Sequence, residues 1–191
     1  MTTDVIDLKT QFPNLHQDLI NLCKAGDQKA QFQIYKLYYK AMYNISLRIV
    51  NNPMEAEDIM QESFLSAFEK IDTYSGIVSF GVWLKRIVIN RSLDVLKREK
   101  KVMFEDIEYI KEIGTNYSED MTFCEETELR VQEVKDSIRL LPDGCRIVIS
   151  LYLFEGYDHE EIAEILSISP VTSRSQFHRA KKRLAAVPGT Y

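Results

Sequence analysis

Basic and hydroxyl side chains near the C-terminus have the spacing of a single helix face. The positions i, i+3, i+4 and i+7 are occupied by Val171, Arg174, Ser175 and His178. An Arg guanidinium can bridge O6 and N7 of guanine, a Ser hydroxyl can donate or accept a hydrogen bond, and Val can contact the thymine methyl group. This face therefore has the chemistry needed to contact base edges in the major groove of duplex DNA.

Capping signals on both sides of a short turn predict a helix-turn-helix that would carry this face. Asp158 and Glu161 form a capping box at the start of a short apolar helix. Residues 167–169 are the predicted turn, in which Ser169 caps the second helix and Pro170 occupies its first position. The inward side of that helix is predicted to carry Phe177, Ala180 and Leu184. The alternative is a basic amphipathic helix on a solvated surface, which would not require both caps and a turn.

The rest of the chain is also predicted to be helical, because apolar residues recur at intervals of three and four. The predicted helices cover about 30–50, 53–71, 80–101, 128–141 and 145–154. Asn52 followed by Pro53 and Glu55 marks one helix start, and Ser79 marks the next. The expected inner stripe of that third helix is Leu84, Ile87, Val88, Arg91 and Val95. The fold class is therefore all-α.

Charge is divided unevenly along the 191 residues. A net charge of -5 argues against a nucleic-acid partner if it is spread evenly. However, positions 101–130 hold three basic and nine acidic side chains, positions 85–101 hold seven basic and two acidic ones, and no acid follows Glu164. We expect two small helical domains joined by an acidic linker. The expected segments are an N-terminal extension 1–24, a domain 25–101, a linker 102–127, a helix-turn-helix domain 128–187 and a tail 188–191.

Several functional classes are not indicated. Cys23, Cys124 and Cys145 are widely spaced and form no CxxC pair, so neither a disulfide framework nor a zinc site is predicted. The three histidines are scattered, and the sequence has neither a Ser/His/Asp set nor a glycine-rich phosphate loop. We therefore expect no enzymatic activity, no bound metal and no cofactor. No apolar run is long enough to cross a membrane and no signal peptide is visible, so a cytoplasmic location is expected.

The order of three segments resembles the extracytoplasmic-function (ECF, group IV) family of bacterial sigma factors. AEDIMQESF and SFGVWLKRIVINRSLD resemble sigma region 2, and the helix-turn-helix resembles sigma region 4. The likeness extends over about 25–187. It implies a factor that binds core RNA polymerase and recognises the minus-35 promoter element as duplex and the minus-10 element as opened single strand. The implied polymerase contacts are the beta-prime clamp helices and the beta flap, and an anti-sigma protein or another recruiting partner is a further implied class.

The resemblance also implies three sets of contact residues. The set that would bind core polymerase is Asp58, Gln61 and Glu62. The set that would contact the minus-10 element is Tyr74, Ser79, Phe80, Trp83, Arg86, Asn90, Arg91 and Lys97. The set that would contact the minus-35 element is Val171, Thr172, Arg174, Ser175, Gln176, His178, Arg179 and Lys182. Ser173 departs from the family pattern where an apolar residue is usual, and Gln176 departs where an Arg is usual.

Other interpretations remain open at this level. The acids of AEDIMQESF could be an ordinary solvated helix face, and Trp83 could belong to the core. A regulator with a LuxR-like helix-turn-helix, acting without being a polymerase subunit, would explain residues 158–187 but not AEDIMQESF or the Trp83 helix. A third class is an RNA-binding or protein-interaction module that uses the same helices.

Overall fold

The computed structural model describes residues 16–100 and 126–185, with side chains for 16–98 and 133–185, and this part of the chain contains α-helices and no strand. The helices are α1 (Gln17–Lys24), α2 (Gln28–Val50), α3 (Pro53–Glu69), α4 (Phe80–Lys100), α5 (Glu126–Arg139), α6 (Asp143–Leu153), α7 (His159–Leu166) and α8 (Pro170–Ala185). A short 3-10 turn, Ile71–Thr73, follows α3. The chain divides into two compact units after Val95. The all-α prediction is confirmed.

In the first unit, α2 packs against α1 and α3. Its core holds Ile34 and Ile49 of α2, Phe64 of α3 and Leu84 of α4, all of them almost fully buried. Burying an aliphatic or aromatic side chain of this size contributes about 1.5–3 kcal/mol, so these contacts dominate the stability of the unit. A buried hydrogen bond of 3.1 Å from Ser92 Oγ to Ser46 Oγ joins α4 to α2 within that core.

The start of α3 shows why the chain turns after α2. Asn51 ends α2 in the left-handed region, with φ of 57°. The Asn52 side chain then accepts hydrogen bonds from the backbone of Met54 and Glu55, and Pro53 takes the first helical position. Asn52 Nδ2 also donates to Glu55 Oε1 at 2.8 Å. The predicted cap is confirmed, because these bonds satisfy amide groups that the helix start leaves open.

The buried stripe of α4 differs from the predicted one. Within residues 80–98 the buried side chains are Phe80, Leu84, Val88, Ile89, Ser92, Leu93 and Leu96. The prediction was right for Leu84 and Val88 and wrong for Ile87, Arg91 and Val95, which are only half-buried. The inner side follows an i, i+4 series with a second row beside it, and a sequence pattern does not determine the rotation of a helix to this precision.

In the second unit, α8 packs against α5, α6 and α7. Ile138, Leu141, Cys145, Ile149 and Ala180 form a buried cluster, against which the partly buried Phe177 and Leu184 pack. The predicted inner side of α8 is therefore confirmed. The chain at the start of α6 is held by Arg146, a buried side chain whose Nη2 lies 2.6 Å from Asp143 Oδ1.

The remaining expected segments lie mostly outside the described residues. The N-terminal extension is described only from His16, and the acidic linker only from Glu126. The four-residue tail at 188–191 is outside them entirely. No helix in the described part is both long enough and apolar enough to cross a bilayer.

Candidate nucleic-acid interface

Helices α7 and α8 form a helix-turn-helix whose boundaries follow from local hydrogen bonds. Asp158 Oδ1 accepts from the Glu161 amide at 2.8 Å, and Glu161 Oε2 accepts from the Asp158 amide at 2.9 Å. The predicted capping box is thus present. Ser167 ends α7 with φ of 58°. Ser169 Oγ accepts from the Thr172 amide at 3.0 Å and so caps α8.

One side of the N-terminal half of α8 faces solvent. Val171 is 67% exposed. Arg174 and His178 are exposed beside it, and Ser175 is half-buried. Further along, Arg179 and Lys182 are also exposed. Because no acid occurs between residues 165 and 185, this face is positively charged and suits phosphate contacts.

The opposite side of α8 holds a polar contact in place of an apolar one. Ser173 is fully buried, and its Oγ lies 2.9 Å from Nδ1 of His159. The His159 ring stacks on the Tyr152 ring at a centroid distance of 4.9 Å, and the Phe177 ring lies 4.6 Å from the Tyr152 ring, centroid to centroid. The departure from the family pattern at Ser173 is therefore matched by a hydrogen-bond partner on α7.

Gln176 lies inside the second unit. It is only 7% exposed, and its Oε1 accepts a hydrogen bond from Cys145 Sγ at 3.1 Å. Burial raises the pKa of the Cys145 thiol, and the charges of Arg183 and Arg179 lower it by less. The thiol therefore stays protonated at neutral pH and serves as the donor.

An ion pair joins the two helices of the helix-turn-helix on the exposed side. Arg174 Nη1 lies 3.0 Å from Glu160 Oε1, with 53% of the Arg174 side chain and 65% of the Glu160 side chain exposed. Glu160 is the second residue of α7 and takes no part in the capping box. The pair places a carboxylate next to the guanidinium of the residue that is expected to contact guanine.

In the first unit, aromatic rings hold the loop that precedes α4. Tyr74 and Phe80 are buried against each other, with ring centroids 5.5 Å apart, and the half-buried Trp83 lies 5.4 Å from Tyr74. The Tyr74 hydroxyl donates to the Val78 carbonyl at 2.7 Å. At the tip of the loop, Ile77 is 85% exposed. The loop thus presents an apolar tip on an ordered base.

Polar residues form the outer face of α4 next to this loop. Arg86, Asn90 and Lys97 are exposed along it. Ser79 Oγ accepts from the Val82 amide at 3.4 Å, as expected of the cap of α4. Arg91 is half-buried, and its Nη1 lies 2.9 Å from Oε2 of Glu62 on α3. Cationic groups therefore lie beside aromatic ones, which is typical of surfaces that bind single-stranded nucleic acid.

The exposed face of α3 combines acids with apolar side chains. Asp58, Gln61 and Glu62 are all exposed. Met54 and Leu65, which flank them along the helix, are 76% and 65% exposed. This face of α3 therefore offers carboxylate and amide groups beside two accessible apolar side chains.

Comparison with known proteins identifies the family. The profile of Sigma-70 region 2 matches residues 34–102, and that of Sigma-70 region 4 matches residues 132–184. The ECF RNA polymerase sigma factor SigW of Bacillus subtilis (strain 168) is 33% identical over 172 residues, covering 86% of this chain and 92% of its own. The ECF RNA polymerase sigma-E factor of Escherichia coli (strain K12) is 30% identical over 183 residues, covering 88% and 91%. The chain belongs to the ECF sigma factor family.

The fold of this sigma factor agrees with solved structures. The sigma factor RpoE in complex with the anti-sigma factor NepR from Bartonella quintana aligns with a TM-score of 0.52 at 23% identity, over 80% of this chain and 92% of that one. Sigma factors are transcription initiation factors and not enzymes. The interpretation as a LuxR-like regulator is not favoured, because the match to region 2 accounts for the first unit, which that interpretation leaves unexplained.

Three of the expected contact residues of this sigma factor are buried in the structure. Tyr74 and Phe80 are 3% and 2% exposed, because their rings fill the space at the base of the loop. Gln176 is turned inward because it shares the helical phase of Ser173 and Ala180. These three side chains belong to the packed interior of the free chain, and direct contact with DNA stays a prediction for them. Thr172 is half-buried, and its hydroxyl bonds Ser169 Oγ at 2.9 Å.

Other exposed residues of the sigma factor were not predicted from the sequence. The exposure of Ile77 could have been predicted, because this apolar residue follows Gly76 in a segment predicted to be a loop. Met54 and Leu65 lie on the same α3 face as the expected acids. Glu160 had no signal, because its partner lies 14 positions away and only the crossing of α7 and α8 brings them together.

Proposed function

We propose that this sigma factor binds core RNA polymerase and directs promoter-specific initiation by recognising the minus-35 element as duplex and the minus-10 element as opened single strand. The observation that carries the proposal is the exposed basic face at the start of α8, where Val171, Arg174 and His178 project from a capped helix-turn-helix. Recognition helices contact base edges with residues near their N-terminal end.

Contacts at the minus-35 element fall into two kinds. Arg174 is the residue that contacts a guanine, with Val171 against a thymine methyl group and Ser175 at the edge of the face. His178, Arg179 and Lys182 lie further along α8 and bind phosphates, which fix the register of the helix without selecting sequence. Thr172 lies next to the cap and helps to define where α8 begins.

The opened minus-10 strand is bound by the loop at 75–79 together with α4. Arg86, Asn90 and Lys97 provide a polar, largely cationic track for the backbone, and the accessible part of Trp83 provides a stacking surface. The exposed tip at Ile77 is placed to separate neighbouring bases. Unstacking a base costs a few kcal/mol, which these contacts must offset.

Core polymerase is the partner of the α3 face. Asp58, Gln61 and Glu62 supply polar contacts there, with Met54 and Leu65 supplying the apolar area beside them. Glu62 also pairs with Arg91, so this ion pair joins the α3 face to α4. An anti-sigma protein, of the class bound to the Bartonella quintana relative, is a further partner of the chain. The site of action is the cytoplasm.

Transcription in vitro with purified bacterial core polymerase tests the proposal. Templates carrying a library of randomised promoters are transcribed with and without the sigma factor, and the RNA is sequenced. We expect promoter-specific RNA only when the factor is present, and co-migration of the factor with core polymerase. A factor that protects a duplex operator on its own, and yields no specific RNA with core polymerase, would instead be a regulator of the LuxR-like type.

Two substitutions separate base contacts from phosphate contacts. Arg174→Ala should cost about 1–3 kcal/mol at one base pair of the minus-35 element and leave the other positions unchanged. Lys182→Ala should weaken binding to all sequences about equally and lower the slope of log K against log salt concentration by about one. Equal behaviour of the two variants would contradict the assignment of Arg174 as the base-contacting residue.

A further inference from the structure

The ion pair between Glu160 and Arg174 is too exposed to contribute much to the stability of the folded chain. Its atoms lie 3.0 Å apart, and more than half of each side chain is in contact with solvent. Exposed pairs of this kind contribute little to the stability of a fold. The consequence of the contact is conformational, because it restricts the orientation of Arg174 on the face that meets DNA.

A partly buried contact between the preceding residue of each helix holds the backbone beside the pair. His159 precedes Glu160 and Ser173 precedes Arg174, and these two neighbours are themselves joined at 2.9 Å. Ser173 is fully buried, so its backbone position is set by packing. The two contacts between α7 and α8 are therefore adjacent, and one is partly buried while the other is exposed. With the backbone held in this way, only the side-chain rotamers of Glu160 and Arg174 remain to be set.

We propose that Glu160 is a positioning residue that sets the base preference of Arg174 at the minus-35 element. The inference rests on the proposed function, in which α8 recognises that element. A guanidinium has five N–H donors in a rigid fork, and Glu160 engages one of its terminal nitrogens. The remaining donors are thereby held toward a base edge. Without Glu160, Arg174 is free to turn to a phosphate, which adds affinity but no sequence preference.

Because Glu160 is negatively charged, its removal has different effects on DNA affinity and on base preference. A carboxylate close to DNA repels phosphates, so removing it for purely electrostatic reasons would raise affinity for every sequence equally. A positioning role instead predicts a smaller ratio between the preferred and the non-preferred base at one position. The two effects are measured separately, as overall yield and as base preference.

Four variants of the full chain test the inference in holoenzyme on the randomised promoter library. Glu160→Asp keeps the charge but shortens the side chain, Glu160→Gln keeps the reach and an accepting oxygen, and Glu160→Ala removes both. Arg174→Ala identifies the base pair concerned. The matched control is Glu164→Gln, an exposed acid one turn further along α7.

We expect Arg174→Ala to lower the preference at one base pair about tenfold. Glu160→Asp and Glu160→Ala should lower it at the same base pair about three- to tenfold, and Glu160→Gln less than about twofold. The Glu164→Gln control should leave that preference unchanged. In the Arg174→Ala background, the Glu160 substitutions should have no further effect on base preference.

Three results would overturn the inference. The first is that Arg174→Ala alters the base preference while Glu160→Asp and Glu160→Ala leave it unchanged. That result would leave the proposed function intact. A second is an effect of Glu160 substitutions that persists in the Arg174→Ala background. The third is an absence of promoter-specific RNA with the unaltered chain, which rejects the proposed function and this inference with it.

Discussion

Gln176 and Arg174 lie two positions apart on α8 and have opposite environments. Gln176 is buried and accepts a hydrogen bond from Cys145, whereas Arg174 is exposed and paired with Glu160. A difference of two positions rotates the side chain by about 200° around a helix of 3.6 residues per turn. Neighbouring polar residues on one helix therefore divide between the packed interior and the exposed face that we propose binds DNA.

This division predicts contrasting variants. Gln176→Ala should lower the free energy of unfolding by about 1–3 kcal/mol, since Cys145 loses its acceptor and a space opens beside Gly144. It should leave the base preference at the minus-35 element unchanged. Arg174→Ala should change the free energy of unfolding by less than about 1 kcal/mol and alter that preference. Urea denaturation and transcription of the promoter library measure the two quantities. A changed base preference in Gln176→Ala would show that its side chain contacts DNA after all.

At the scale of elements, the short helix α7 depends on its capping box. With eight residues it is shorter than the length at which isolated helices become stable in water, so it relies on caps and on tertiary contacts. Its buried residues Ile162, Ala163 and Leu166 anchor it in the second unit. The start of α7 also carries His159 and Glu160, which contact α8.

Removing the cap should therefore affect both stability and recognition. Asp158→Ala deletes the acceptor of the Glu161 amide and should lower the free energy of unfolding by about 1 kcal/mol. It should also reduce discrimination at the base pair that Arg174 contacts, because Glu160 lies in the first turn of α7. Circular dichroism during urea denaturation reports the first effect, with Glu164→Gln as the control. Unchanged stability would mean that packing alone holds the start of α7.

At the scale of the whole molecule, charge is separated along the chain. The net charge of -5 arises because the acidic positions 101–130 outweigh the basic helices on either side. The first four turns of α4, with Arg86 and Asn90, belong to the first compact unit, and α8 belongs to the second. A negative total lowers the association of the free protein with DNA of any sequence, while each unit keeps a local positive face.

Neutralising the acidic segment should increase non-specific DNA binding by the free protein. The variant replaces six acids by their amides, namely Glu105, Asp106, Glu108, Glu112, Glu119 and Asp120. Affinity for a non-promoter duplex at low salt should rise about three- to tenfold. The slope of log K against log salt concentration should stay the same, because no phosphate contact is added. Fluorescence anisotropy at several salt concentrations measures both, and an unchanged affinity would contradict this account of the charge.

Local sequence signals determined the elements of this protein. The caps at Asn52, Asp158 and Ser169 each satisfy amides within three residues, so neighbours in sequence are sufficient to predict them. The exposed face of α8 follows from helical periodicity, and the separation of charge is a property of the sequence alone.

Only the tertiary structure decided which polar and aromatic residues are accessible. Tyr74, Phe80 and Gln176 fit a DNA-binding set by type but are buried. The contacts of Glu160 with Arg174 and of His159 with Ser173 join residues 14 positions apart. Periodicity defines the faces of one helix but not its rotation or its crossing with another. Those are set by how side chains of both helices interlock, which no local pattern encodes.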